Sequence, residues 1–505
     1  MFKKFNILLF ASVFCVTVTA QETQYFNKIY KQGENFASGM AILETNDAYI
    51  GYGGTEDPEN TGLMLLLFKI DKQGEELIWK SFGEDFHNYF MGNVGGAISV
   101  TSDNSFAICY TGEGSGSTYA SLVELDYNLD TIWKKDYTPE YRTIGINCQQ
   151  TTDKGFCLTG WVWKSDTEYS DLLLIKTDSL GNFLWHKTYG GNWAEQGANA
   201  IQTPDGGYLI GGYFWKPGFD HSMDAMVIKT DSLGNEQWTK YFGNPDIDDD
   251  MAFVQMAGDG NYLVATVYGE EIITPDERRG RVAVMKIDTM GNLMSTHKFG
   301  PNKIANHIKN FKDNNGSYIS TGFYYIYDDL YFKGWGLHIS SEMDSVWMRD
   351  YTYFNETDDR NYLYDISTTS DNGYVAIGSA NEGFTQSNMW VIKLDSMGCD
   401  TPGCATGTWV RQLSPSGGGQ GEELTVYPNP ATEQVILSLS KCAVSNEKAW
   451  FINIYDLQGT KVEEIKVPKG TESLSINVQS WNPGLYFLSL TRNGKSVGSA
   501  KVVVE

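Results

Sequence analysis

After the first twenty residues the chain has no apolar run approaching the ~20 residues that a membrane-spanning helix needs. It has no C-x-x-C pair, so zinc-ribbon and thioredoxin-like chemistry lack their thiolates. Histidine is scarce. His87, His186, His221, His297, His307 and His338 are the full set, and none has metal-ligand spacing or a G-x-S-x-G partner. Positive charge is also in short supply: 38 Lys plus Arg face 63 Asp plus Glu, a net charge of −25. That balance repels phosphate backbones and anionic bilayers and argues against a nucleic-acid partner. What the chain does have is 41% hydrophobic residues, enough to fold, and 14% aromatics, which favour pleated β surfaces. A length of 505 residues exceeds the roughly 250–300 that one core serves, so several domains or a repeat are expected.

Lys3 and Lys4 precede a mostly apolar stretch, Phe5 to Val18, and small residues close it at Val18-Thr-Ala20. This reads as a signal peptide over residues 1–20, cleaved before Gln21. Cys15 leaves with it. Of the remaining cysteines, Cys109, Cys148, Cys157 and Cys442 show no readable connectivity. Cys399 and Cys404 bracket Asp-Thr-Pro-Gly, a turn, and are expected to form a short disulfide loop in an oxidising compartment.

Self-comparison reveals a repeat. An Asp, a turn and a following Trp recur as Asp71 to Trp79, Asp126 to Trp133, Asp178 to Trp185 and Asp231 to Trp238. Weaker copies start at Asp288, Ser340 and Asp395, and successive anchors lie 52–57 residues apart. A second motif, clearest as Asp205-Gly-Gly-Tyr208, interleaves seven times, its Asp-Gly or Asn-Gly tips supplying the positive φ of tight hairpins. Each unit then holds four short strands, which predicts a seven-bladed β-propeller over residues 21–404. The last unit lacks its fourth strand. Phe26-Asn-Lys28-Ile-Tyr30 matches Trp185-His-Lys187-Thr-Tyr189, so the N-terminal strand is expected to complete that blade and close the ring.

These repeats resemble the tryptophan-docking repeats of quinoprotein dehydrogenase propellers and, loosely, the Asp-boxes of sialidases. The resemblance implies a structural role only. A sialidase-like site needs several Arg around a carboxylate. Here Arg142, Arg278, Arg279, Arg281, Arg349 and Arg360 occupy no matching place in successive units, and the vicinal Cys pair of a quinoprotein alcohol dehydrogenase is absent. No catalytic residue is assigned. The acidic run Asp246, Asp248, Asp249 and Asp250 offers carboxylates for Ca²⁺, although its spacing is not that of an EF-hand and a solvated loop is the simpler reading. No other metal or cofactor is expected. Trp161, Trp163, Trp193, Trp215, Tyr324, Tyr325 and Tyr327 lie near strand ends, where flat rings suit sugar stacking or protein contacts, or else burial between blades.

The pattern stops at residue 405. A Gly/Ser-rich tether covers 405–423, and short alternating strands over 424–505 predict a small immunoglobulin-like sandwich. Leu424-Thr-Val-Tyr427-Pro428-Asn429-Pro430-Ala431, Ile454-Tyr-Asp-Leu-Gln-Gly459, Pro483-Gly484-Leu485-Tyr486-Phe487, Asn493-Gly494 and Lys501-Val-Val-Val-Glu505 follow in order. This set resembles the type-A C-terminal sorting domain of the type IX (Por) secretion system of Bacteroidota, with Glu505 in place of the usual terminal Lys. The resemblance implies passage through the outer membrane, removal of the domain, and release or attachment at the cell surface. The expectation for the whole chain is therefore an exported binding propeller with a protein or glycan ligand. The alternative is a secreted hydrolase or lyase acting on polysaccharide through a carboxylate site on one face.

Overall fold

The computed structural model describes residues 25–402, except 32–35, 57–62, 87–97, 115, 166–168, 216–222, 275–276, 327–330, 384 and 386. It also describes 425–504, except 428–430, 433, 439–449, 456–460, 469–470, 472, 483 and 493–494. The expected signal peptide and tether lie outside these residues. Among the described residues every regular element is a strand.

The strands group into seven four-stranded blades. Blade 3 is representative: Arg142–Gln150, Phe156–Trp163, Asp171–Thr177 and Phe183–Tyr189 pair in sequence order, each antiparallel to the last. Blade 4 repeats it with Ala194–Gln202, Tyr208–Trp215, Met223–Thr230 and Glu236–Phe242. One long strand, Leu293–Asn314, serves as the outer strand of blade 5 and then the inner strand of blade 6. Blade 7 has three strands from its own stretch, Arg360–Thr368, Tyr374–Asn381 and Asn388–Leu394. Its fourth is Phe26–Tyr30, antiparallel to Asn388–Leu394 with Phe26 opposite Lys393 and Tyr30 opposite Met389. The ring closes as the N-terminal repeat half-unit anticipates.

Apolar residues of the blades collect at blade–blade interfaces rather than in one central core. Phe156, Leu158 and Ile175 of blade 3 meet Leu122 and Tyr137 of blade 2 in one such cluster. Leu172, Leu174, Tyr208 and Ile228 form the next, between blades 3 and 4. This distribution explains the repeat: each blade is apolar on both faces and is stable only between two neighbours.

The repeated residues tie neighbouring blades. In the turn after the third strand, the carboxylate of Asp178 accepts the N–H groups of Leu180 (2.9 Å) and Asn182 (2.7 Å), and Asp71, Asp126, Asp231, Asp288 and Asp395 do the same in their blades. The turn glycine has positive φ (Gly234, 74°) and lies beneath the preceding blade's Trp. A Cβ on Gly234 would sit 2.7 Å from Trp185. The Tyr four residues after that Trp donates to the same glycine's carbonyl: Tyr137 to Gly181 (2.6 Å), Tyr189 to Gly234 (2.7 Å) and Tyr351 to Gly398 (2.7 Å). Tyr30 donates to Gly74 at 2.8 Å, so the closing strand carries the same latch. Gly234→Ala combines a positive-φ strain with this clash, and is expected to destabilise by roughly 1–3 kcal/mol, read as a lowered chemical-denaturation midpoint with unchanged slope.

One copy of the motif departs from the others. Trp79 is not the docking residue of blade 1. Lys176 stands opposite Trp185 and Lys229 opposite Trp238, but Lys69 stands opposite Ile78. Ile78 therefore takes the docking position. Trp79, one residue on, faces the other side of the sheet, where it stacks on Tyr30 at 6.4 Å.

Residues 425–504 form a separate β-sandwich. Thr425–Tyr427, Gln434–Ser438 and Ser473–Asn477 make one sheet. Trp450–Tyr455, Lys461–Val467, Gly484–Arg492 and Lys495–Val504 make the other. Val435, Leu437, Trp450, Ile452, Leu488 and Val502 bury a common core.

Candidate functional site

The inner strands line a channel. A cavity of about 270 Å³ sits in it, bounded by strands of blades 2 to 6. Asn147, Gln149, Asn199, Gln255 and Asn310 present side-chain amides there, with Lys309 and Lys312 beside them. No carboxylate is among the described residues of its wall.

Neighbouring inner strands are fastened to one another by buried polar side chains, a feature the sequence reading missed. Asn199 donates to the carbonyl of Val254 and accepts its N–H, both at 2.9 Å. Asp250 accepts the N–H of Ile308 at 2.9 Å. Asp365, fully buried, accepts from Ile42 N–H (3.0 Å), Asn310 (2.5 Å) and Lys312 (2.5 Å). The inner strands do not hydrogen-bond to each other as a sheet, so these side chains satisfy groups that would otherwise be stranded. Lys312 and Asn310 reach the cavity wall from this network.

The acidic run is dispersed among separate tasks. Asp248 accepts the N–H of Met223 (2.9 Å), and Asp249 accepts those of Asn244 (2.7 Å) and Gly269 (2.8 Å). Asp250 turns inward to His307, 3.3 Å away. Asp246 is exposed. Burial raises the Asp249 carboxyl to about 7 despite its two N–H donors. Burial would raise Asp250 too, but His307, Lys309 and Arg278 hold it well below the carboxylate range. Burial lowers Lys309 to about 8, partly offset by Asp250. Among the described residues no group of three or more His, Cys, Asp or Glu side chains converges as a metal site.

A second arrangement lies where blades 3 and 4 meet at the opposite end of the inner strands from the Asp-Gly hairpins. The segment Tyr169-Ser170-Asp171 runs beside Trp193-Ala194-Glu195, joined by the Glu195 N–H donating to the Ser170 carbonyl at 2.8 Å. Tyr169 and Trp193 stack at 6.2 Å with an interplanar angle of 30°. Two residues on, Asp171 and Glu195 converge: a Cβ on Gly190 would lie 2.3 Å from Asp171 Oδ1 and 2.9 Å from Glu195 Oε2. Lys164 pairs with Asp171. Glu195 is 5% exposed and its Oε2 has no hydrogen-bond partner. Burial, then the charge of Asp171, raises the Glu195 carboxyl to about 7.

The remaining aromatic residues divide. Trp215 is exposed, whereas Trp161 and Tyr324 are buried in blade interfaces, and Tyr327 lies outside the described residues. Cys399 is disulfide-bonded, and Cys404, its expected partner, lies outside the described residues. Cys109, Cys148 and Cys157 are buried free thiols, with burial holding each pKa high.

In the C-terminal sandwich, Tyr427 ends its strand, and Gly484, Leu485 and Tyr486 open the strand that pairs with the one holding Lys501. Tyr486 is buried, packs on Trp481 at 4.7 Å and donates to the Asn482 carbonyl at 2.8 Å. Pro428, Asn429, Pro430 and Gly459 lie outside the described residues.

Residues 425–505 match the family described as the secretion system C-terminal sorting domain. A search of curated proteins gave no match. Solved structures similar to the chain include the β-propeller domain of the Trilobed protease from Pyrococcus furiosus, at 8% identity and TM-score 0.40 over 71% of this chain and 93% of that one. The polysaccharide lyase Uly1 aligns at 10% identity and TM-score 0.43 over 76% and 96%. An α-L-arabinanase from Penicillium chrysogenum aligns at 10% identity and TM-score 0.40 over 62% and 95%. The chain is thus an all-β protein, a propeller followed by a sorting sandwich. Its C-terminal segment is a type IX sorting domain, recognised by that secretion machinery. The protein is secreted or held on the outer surface of a Gram-negative cell.

Proposed function

We propose that the propeller is a non-catalytic binding ring that presents a glycan- or protein-binding site outside the cell. The supporting observation is the channel cavity, whose lining includes the amide residues Asn147, Gln149 and Gln255 with Lys309 and Lys312, while the amides of Asn199 and Asn310 are engaged within the fold. Amides offer donors and acceptors without a charge to desolvate, which suits a polar ligand that is held rather than transformed. The bacterium is a member of the Bacteroidota, and the sorting domain is removed after export. The second reading, a hydrolase or lyase acting on polysaccharide, draws its support from Glu195, a buried acid raised to about 7 beside a second carboxyl group, that of Asp171. A glycan array probed with the full chain, followed by product analysis on every glycan retained, separates the two. Saturable binding with the glycan recovered intact is expected. Cleavage of a bound glycan would replace the binding reading with the enzymatic one.

A further inference from the structure

We propose that the Tyr169–Trp193 stack and the Asp171–Glu195 carboxyl pair form one subsite, built for a single ring of a neutral glycan. The inference rests on the reading of the propeller as a binding protein and assigns that protein a place and a ligand class. Four observations carry it.

First, the two adjoining segments are in register. Residues two apart along an extended chain project to the same side at about 7 Å spacing. The stacked pair Tyr169–Trp193 thus lies two residues before the buried pair Asp171–Glu195, with the Glu195 N–H to Ser170 carbonyl bond between them. Second, the aromatic pair is partly accessible: Tyr169 is 46% exposed and Trp193 half-buried, and Trp215, across the hairpin from Ala194, is 43% exposed. A pyranose presents an apolar C–H face to such a platform and its hydroxyls to the groups beside it. Third, Glu195 Oε2 is buried without a partner and points to the same spot as Asp171 Oδ1. A stranded buried oxygen of this kind costs free energy until a ligand supplies its hydrogen bond. Fourth, Gly190, which is exposed, lies against both carboxyl groups, and any side chain there would collide with them.

Charge selects the ligand class. The chain carries a net −25, and Lys164 is already engaged by Asp171, so a uronate would meet a negative protein without gaining that cation. A neutral sugar meets no such penalty. The protonated Glu195 donates to a sugar oxygen while Asp171 accepts from a hydroxyl.

The groups facing Glu195 are Asp171 and Tyr241, with Lys164 and the Gly191 N–H favouring its ionised form. Since its carboxyl titrates at about 7, affinity is expected to be full at pH 6 and to fall as pH rises through 7. A ligand that requires the proton loses roughly tenfold between pH 6 and pH 8.

The experiment titrates the full chain with cellohexaose, laminarihexaose, mannohexaose and hexagalacturonate at pH 6 and pH 8, by calorimetry. One neutral hexaose should bind, about tenfold more weakly at pH 8, and hexagalacturonate should not. Glu195→Gln, which keeps the donor without the titration, should bind equally at both pH values. Trp193→Ala should weaken binding at least tenfold; Tyr169→Ala, at an exposed site, gives the same readout if Trp193→Ala fails to fold. Tighter binding of hexagalacturonate, or no binding of any neutral hexaose, would overturn the subsite. Neutral-sugar binding unchanged in Glu195→Gln and Trp193→Ala would overturn it as well, while leaving the propeller a glycan binder with its site elsewhere.

Discussion

Deleting the chain through Tyr30 is expected to lower the melting temperature by roughly 10 °C or more, whereas a deletion that ends before Tyr25 leaves it unchanged. The strand Phe26–Tyr30 has only five residues, but it does three jobs at once. It pairs along Met389 to Lys393, it buries Phe26 and Tyr30 (8% and 4% exposed), and it latches onto blade 1 through Gly74. Trp390 also donates to Asn27 at 2.6 Å. Two buried aromatic side chains alone contribute about 3–6 kcal/mol. Their loss also bares the apolar strand Asn388–Leu394 as an unpaired edge, which invites association with another chain. Calorimetry should therefore show a lower transition together with aggregation after heating. An unchanged transition would mean that the ring is held by blade packing alone.

The closing strand was legible because its residues keep the spacing of the full repeats. Lys28 and Tyr30 both reach the Gly74 turn, as Lys187 and Tyr189 reach the turn of blade 4. Seven blades followed from counting turns. Trp79 packs between blades like the other tryptophans, but from the opposite face of its strand. The Asp-to-Trp interval is eight there and seven in the other units, and in a strand one residue changes the face. The dispersal of Asp246, Asp248, Asp249 and Asp250 could not be read from the sequence. The N–H groups that Asp248, Asp249 and Asp250 accept, those of Met223, Asn244, Gly269 and Ile308, come from three successive blades brought together by blade packing. The cavity likewise draws on five blades and has no local motif. Glu195 and Asp171 are 24 positions apart, and they meet where the Glu195 N–H donates to the Ser170 carbonyl and Tyr169 stacks on Trp193.

A repeated ion pair also went unread, although the Lys two residues before the turn Asp stands at 69, 176, 229 and 393. The Lys of Lys-Thr-Asp points back to the Asp of the preceding Asp-Gly turn: Lys176 to Asp153 (2.9 Å), Lys229 to Asp205 (2.8 Å) and Lys393 to Asp371 (2.9 Å). Each Lys also donates to the carbonyl of the residue that follows it. Each Asp is held by a Thr two residues earlier and by the N–H of the Gly two residues later. In these three blades the hairpin tip and the third strand are thus locked by a charge pair whose Lys is buried.

The pair in the closing blade is the most secluded, with side-chain exposures of 1% for Lys393 and 8% for Asp371. Asp371→Ala leaves the Lys393 ammonium buried with only the Leu394 carbonyl, and is expected to cost roughly 3–5 kcal/mol. Lys393→Met should cost less, because Asp371 keeps Thr369 and the Gly373 N–H. The double change Asp371→Ala with Lys393→Met should recover much of the loss, since no charge then remains buried without a partner. The pH dependence separates this account from simple loss of packing. Burial opposes ionisation of Asp371, but Thr369, Lys393 and the Gly373 N–H together lower its carboxyl below the usual range. Its contribution is therefore present above the unfolded-state value near 4 and is lost as pH falls through the lower folded-state value. Burial lowers Lys393 as well, so its own effect runs the same way, with stability rising toward its unfolded-state value near 10. Urea unfolding at pH 3, 5 and 7 should show Asp371→Ala converging on the parent protein as the medium turns acid. A gap that stays constant over that range would assign the loss to packing and remove the ion pair from the account of the blade.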